Sequence, residues 1–154
     1  MSQLEQAIAR IEDHFRVCQI EYAHVFNTEG DLLHYFRGSK DYVKFEGNHF
    51  GRIFTHNHPN GGSFSAGDLC IMIQQGFREI RAYGLDGVYS LKVIGEPVRR
   101  ELEPGAEKAW AKAIKKDPLA VEKFAEKYGM EYTFQAAPEG FLEKNRAAQR
   151  RRKG

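Results

Sequence analysis

The run Thr55-His56-Asn57-His58-Pro59-Asn60-Gly61-Gly62-Ser63-Phe64-Ser65-Ala66-Gly67-Asp68 holds the residues of this chain best suited to chemistry. Two histidines flank a single residue at the end of an apolar, strand-like segment. Positions i and i+2 of extended backbone point to the same side, so His56 and His58 can present both imidazoles to one point. A zinc ion asks for that arrangement, with nitrogens roughly 2.0–2.1 Å away. Pro59 stops the strand, and Gly61 and Gly62 let the chain fold back tightly. Asp68 falls in the first turn of the following helix, where its carboxylate can reach the same ion. Two imidazoles and one carboxylate leave a coordination position for water, which marks a catalytic zinc site rather than a structural one. An HxH pair alone arises easily by chance. HxHP with SxxD downstream, at a strand–loop–helix junction, is far more specific.

Hydrolysis at such a site needs a general base. Glu21 is the candidate, because it opens a strand just after the first helix and a central strand can bring it beside the metal. Glu46 is the alternative, nearer the histidines in sequence. Ser65 is placed to donate to a developing oxyanion. Each of these residues also has a plain structural role open to it. Ser65 suits the N-cap of its helix, and Asp68 gains from the helix dipole without any metal. His14, His24, His34 and His49 read as ordinary surface or core histidines; His24 and His34 could face each other across a hairpin, but no third ligand accompanies them.

His56-Asn57-His58-Pro59 followed by Ser65-Ala66-Gly67-Asp68 resembles the motif of the JAMM (JAB/MPN-plus) zinc metalloproteases, an upstream Glu followed by HxHP and SxxD. The wording is especially similar to the bacterial RadC-type and phage-associated branches. The resemblance spans residues 19–94 and leaves out the C-terminal third. It implies a JAB/MPN-like, cytidine-deaminase-like three-layer domain in which a mixed sheet is flanked by helices. It implies zinc on His56, His58 and Asp68, Glu21 as general base and Ser65 at the oxyanion. The activity implied is cleavage of a peptide bond in a phage or host protein, or of the isopeptide bond that holds a ubiquitin-like tail.

Several elements must position these residues. Residues 3–16 predict an amphipathic helix with Leu4, Ala7, Ile8, Ile11 and Phe15 on one face, Ser2 as N-cap and Glu5 three residues on. Residues 17–26 and 32–37 predict a hairpin around Asn27-Thr28-Glu29-Gly30-Asp31. Short strands are expected over 41–45 and 51–55, and a buried helix over 66–77 that ends near Gly76. Residues 79–83 and 88–94 read as a second hairpin, 104–128 as helix with a break at Asp117-Pro118, and 131–134 as a last strand. The fold class is therefore mixed α/β, with a largely antiparallel or mixed sheet. The metal-binding domain is expected over 1–135. The aromatic residues Tyr22, Phe26, Tyr35, Phe36, Tyr42, Phe45, Phe50 and Phe54 read as core at strand spacing, part of which could line a groove for an extended peptide. Trp110 is expected to pack the C-terminal helix onto the body.

Composition narrows the class. The 154 residues are 42% hydrophobic and 29% charged, as in a water-soluble domain. No apolar run is long enough to cross a bilayer, and the polar N-terminus does not read as a signal peptide, so a cytoplasmic protein is expected. Cys18 and Cys70 form no CxxC pair and read as small buried hydrophobes, with Cys70 near enough to Asp68 to sit by the site. The net charge of +2 is uneven: Lys144, Arg146, Arg150, Arg151, Arg152 and Lys153 make residues 136–154 a basic tail, expected to be solvated and disordered. That tail allows an alternative reading, a non-proteolytic zinc-binding module of a phage or mobile-element protein that touches nucleic acid. An HNH-type nuclease ranks below both, since it leaves the SxxD partner unexplained.

Overall fold

The computed structural model describes residues 1–38 and 47–137. Their elements run α1 (Gln3–Phe15), β1 (Tyr22–Phe26), β2 (Leu32–Arg37), β3 (Ile53–Asn57), α2 (Ala66–Gln75), β4 (Glu79–Tyr83), β5 (Gly87–Val93), α3 (Ala106–Lys116), α4 (Ala120–Tyr128) and β6 (Met130–Ala136). The strand expected over 41–45, with Tyr42 and Phe45, lies outside the described residues, as do Glu46 and the basic tail beyond residue 137. No helix among the described residues is long and apolar enough to cross a membrane.

The strands form one six-stranded mixed sheet in the order β2-β1-β3-β4-β5-β6. Every neighbouring pair is antiparallel except β3 and β4, which run parallel and are joined through α2. Helices cover both faces. Ile53 of β3 packs with Phe26 and with Ile8 of α1 on one face. Phe54, one residue on, packs on the other face with Leu69 and Met72 of α2 and Phe124 of α4. All five residues of β3 are buried, as its central place between β1 and β4 requires.

Local signals account for most element ends. Ser2 Oγ accepts the Glu5 amide at 3.0 Å and starts α1. α2 ends at Gly76, whose φ of 66° is the left-handed conformation that favours glycine. The 104–128 stretch breaks at Asp117 into α3 and α4, because Pro118 cannot extend the first helix. Trp110 meets Phe124 edge to face with centroids 5.2 Å apart and is partly buried against the core, as expected. Strand bounds differ from expectation, and the strand expected over 51–55 runs over Ile53–Asn57 because it pairs with β4 along that stretch. β1 begins at Tyr22 rather than residue 17, and β6 extends over Met130–Ala136 because it pairs with β5 along its whole length.

The hairpin histidines part company. His24 stands opposite Tyr35, and His34 opposite Val25, so the two side chains point to opposite faces of the sheet and do not meet. His24 is buried against Phe15 and Tyr35, and burial, with His14 nearby, pulls its pKa down to about 4. The aromatic run divides likewise: Phe26 and Phe54 are buried, whereas Tyr35 and Phe50 are exposed.

One buried ionic network ties α1 to the sheet. Glu12 is 2% exposed and accepts Arg81 Nε at 2.8 Å, a second guanidinium nitrogen at 2.9 Å and the Thr55 hydroxyl at 2.7 Å. Arg81 also donates to Glu79 at 2.9 Å, which accepts the Ser90 hydroxyl at 2.7 Å. Removing one member of such a group strands the others. Glu12→Ala should cost about 3 kcal/mol, the low end for breaking a buried pair, since Arg81 keeps Glu79 and remains 20% exposed. Urea unfolding checks this, and a loss within about 0.5 kcal/mol, the ordinary surface range, would show that the network contributes nothing.

Candidate metal centre

His56 and His58 lie at the carboxyl end of β3. His56 is within the strand, and the His58 amide donates to the Tyr83 carbonyl at 2.7 Å, which carries the parallel pairing with β4 one residue further. The strand alternation therefore holds through His58, and both imidazoles face α2. The next segment turns back through Gly61 and Gly62, with φ of 72° and 95°, to the start of α2. An open αβ crevice at the carboxyl ends of parallel strands is where such sheets commonly bind ligands.

Asp68 enters from α2. Its carboxylate accepts the Ser65 amide at 2.9 Å, while its own amide donates to Ser65 Oγ at 3.2 Å, a reciprocal capping box. The cap aims the carboxylate at the histidines. Asp68 Oδ1 lies 3.0 Å from His56 Nε2, Oδ2 lies 3.4 Å from His58 Nε2, and the two Nε2 atoms are 2.9 Å apart. Ligands about 2.0–2.1 Å from a tetrahedral ion stand roughly 3.3–3.4 Å from each other, so the observed spacings are within a few tenths of an ångström of that shape. Both His56 and Asp68 are buried, and His58 is half-buried.

The chemistry of this group favours a cation. His58 Nδ1 lies 3.3 Å from the Gly62 carbonyl, which can only accept, so the ring proton of neutral His58 sits on Nδ1 and Nε2 offers a lone pair. Such a bond to the far nitrogen is the usual support of a metal-ligating histidine. His56 Nδ1 has no hydrogen-bond partner among the described residues; that ring is stacked instead on Phe54, with centroids 4.8 Å apart and planes 21° from parallel. With no acceptor at Nδ1, the proton of neutral His56 can sit on Nε2 and donate to Asp68 Oδ1 at 3.0 Å, and a metal ion would take the place of that proton. His56, His58 and Asp68 could hold a metal ion.

Without metal, protons take up that role. Burial would lower the His58 pKa, but the hydrogen bond and charge of Asp68, the Gly62 carbonyl and the charge of Glu21 outweigh it and raise it above 6.5. Burial would raise Asp68, but the charge and hydrogen bond of His56, joined by those of His58, hold it well below the usual carboxylate range. The sign follows. A raised His58 stabilises the metal-free fold below pH 6.5, and that contribution is lost as pH rises through its folded value. A metal must displace the same proton. Apparent affinity should therefore climb with pH across this range, with proton release on binding just above pH 6.5. Calorimetry in buffers of different ionisation enthalpy reads the proton count directly; binding without release would contradict the charged pair.

Glu21 and Ser65 border the group, and both are exposed. Ala23 stands opposite His56 in the β1–β3 register, and Glu21 lies two residues before Ala23, just ahead of β1. Its charge acts on His58. Ser65 is the N-cap, so both expected roles of that residue remain compatible. On the other side, Ser63 Oγ meets the Tyr132 hydroxyl at 2.5 Å, which ties the loop toward β6. Cys70 is buried, its thiol pushed up to about 11 by burial and Glu107, and it is not one of the grouped ligands. Cys18 is half-buried. In the sequence Asn57 is only the spacer of HxH, and its hydrogen bonds to Cys18, Ile20 and Tyr22 have no local signal, because nothing nearby indicates which segment lies beside it.

Fold and site together define a mixed α/β domain with a His-His-Asp group, capable of holding a metal ion, at the carboxyl end of its central strand. No family model, curated protein or solved structure matches the chain.

Proposed function

We propose that the chain is a zinc-dependent metallopeptidase or isopeptidase of the JAMM kind, which hydrolyses an amide bond with activated water. The observation that carries this reading is the convergence of ligand atoms from His56, His58 and Asp68 within 4.8 Å of one another. Two imidazoles and a carboxylate are a donor set that suits zinc. When bound, zinc would supply a Lewis acid that brings the pKa of water to about 7 and polarises the substrate carbonyl.

The chain's own groups do the rest. Glu21 accepts the proton of the attacking water and returns it to the amine nitrogen as the C–N bond breaks. Ser65 Oγ accepts the Asp68 amide, so its hydroxyl proton is free to donate to the carbonyl oxygen as negative charge builds there. The substrate is an extended polypeptide, either around a peptide bond or at the isopeptide bond of a ubiquitin-like tail. Such a segment binds by adding to a sheet edge, and β2 is the edge nearest the site.

Metal removal tests the proposal. The purified chain should carry stoichiometric zinc by elemental mass spectrometry, cleave quenched-fluorescent peptides or an isopeptide-linked ubiquitin-like conjugate, lose that cleavage to a chelator and regain it with zinc. A chain that takes up no zinc when supplied with it, or whose cleavage ignores the chelator, would sink the reading.

A further inference from the structure

Asn57 sits between the two histidines but on the opposite face of β3, where it is 1% exposed. Both ends of its amide are engaged. Nδ2 donates to the carbonyls of Ile20 at 2.9 Å and Cys18 at 3.3 Å, and Oδ1 accepts the Tyr22 amide at 2.5 Å. Two of these backbone groups bracket Glu21, on Ile20 before it and on Tyr22 after it, and the third lies on Cys18, three residues earlier. The β1–β3 ladder has its last partners at Ala23 and His56, so main-chain pairing to β3 does not extend to Glu21. A side chain of β3 makes the link instead. On its other side, the Glu21 carbonyl accepts the Gly38 amide at 2.8 Å.

We propose that Asn57 is the positioning residue of Glu21, tying the backbone of Ile20 and Tyr22 to β3 so that the Glu21 carboxylate stays beside His58. This rests on the proposed role of Glu21 as general base. Few side chains can replace it. The place needs donors and an acceptor in one short planar group; aspartate has no donor, serine and threonine have a single hydroxyl proton, and glutamine is a methylene too long.

Acetohydroxamate probes the carboxylate without a substrate, since it ligates zinc through its oxygens and can donate a hydrogen bond to a neighbouring carboxylate. On the zinc-loaded full chain, E21Q should weaken its binding about tenfold or more, as expected for a lost charge-assisted hydrogen bond. N57A should weaken it by a similar factor with zinc still stoichiometric, and the double variant should be no weaker than E21Q alone. If N57A does not fold, N57D takes its place, being the same size and lacking the two donors. Wild-type affinity in the Asn57 variant beside a weakened E21Q overturns the positioning role and leaves the functional reading standing. Loss of zinc from the Asn57 variants also overturns it, because the residue would then act on the ligands. A wild-type chain without zinc, or an E21Q variant that binds the probe normally, removes the general-base reading and this inference with it.

Discussion

Asp68→Asn should leave the chain folded and unable to hold zinc. The substitution separates the two tasks of this residue. The Asp68 carboxylate accepts the Ser65 amide at 2.9 Å, and an asparagine carbonyl oxygen can do the same, so the helix cap survives. What is lost is the negative charge beside His56 and His58, and with it one of the grouped ligands. Affinity should fall by more than about 100-fold, since losing a group that merely supports a ligand already costs roughly 10–100-fold. Asp68→Ala should lose the metal and the half of the capping box that the carboxylate makes with the Ser65 amide, adding about 1 kcal/mol of instability, while Ser65 Oγ still accepts the amide of residue 68. The metal-free proteins carry a second signature. The Asp68 pKa is depressed in the folded state, so its ionised form stabilises the fold above the carboxylate range and that contribution disappears as pH falls. The stability gap between wild type and Asp68→Asn should therefore narrow on acidification. Metal titration and denaturant melts over pH check both parts; zinc held at wild-type strength by Asp68→Asn would exclude Asp68 as a ligand.

Glu21→Gln should abolish most hydrolysis while keeping both fold and zinc. The side chain is exposed, and its segment is held through its own backbone groups, by the Asn57 side chain and the Gly38 amide, so an isosteric amide at Glu21 disturbs little. Its zinc content should match wild type because Glu21 is not one of the grouped ligands. The rate constant should drop by about 10²–10⁴, the usual worth of a positioned general base. Turnover of the same peptide or isopeptide substrate by both proteins, with zinc measured in each sample, decides it. Equal turnover would move the base elsewhere.

Much of the candidate centre was legible because its geometry is local. Two histidines separated by one residue fall on one face of any strand, and Asp68 three residues after an N-cap Ser65 falls on the first turn of any capped helix. Those periodicities do not depend on the rest of the chain. The same holds for α1, for the break at Pro118 and for the left-handed end of α2 at Gly76. Each is set by residues within a turn or two.

Where β1 begins was not legible. Residues 17–21 have strand-like composition, yet Asn57, 35 residues from Tyr22, draws the segment into its own hydrogen bonds and the ladder starts only at Tyr22. The length of β6 likewise depends on β5 lying beside it. Glu12 and Arg81 are 69 residues apart, and nothing in either neighbourhood announces the pair.

By itself, then, the sequence determined the types of most elements and the grouping of His56, His58 and Asp68, which could hold a metal ion, because strand and helix periods are properties of the backbone that short spacings reveal. Only the tertiary structure decided the strand order, the parallel pairing of β3 with β4, the separation of His24 from His34, and the tie from Asn57 to the segment that carries Glu21. These depend on which distant segments pair, and that choice follows from burying the whole core at once rather than from any local run of residues.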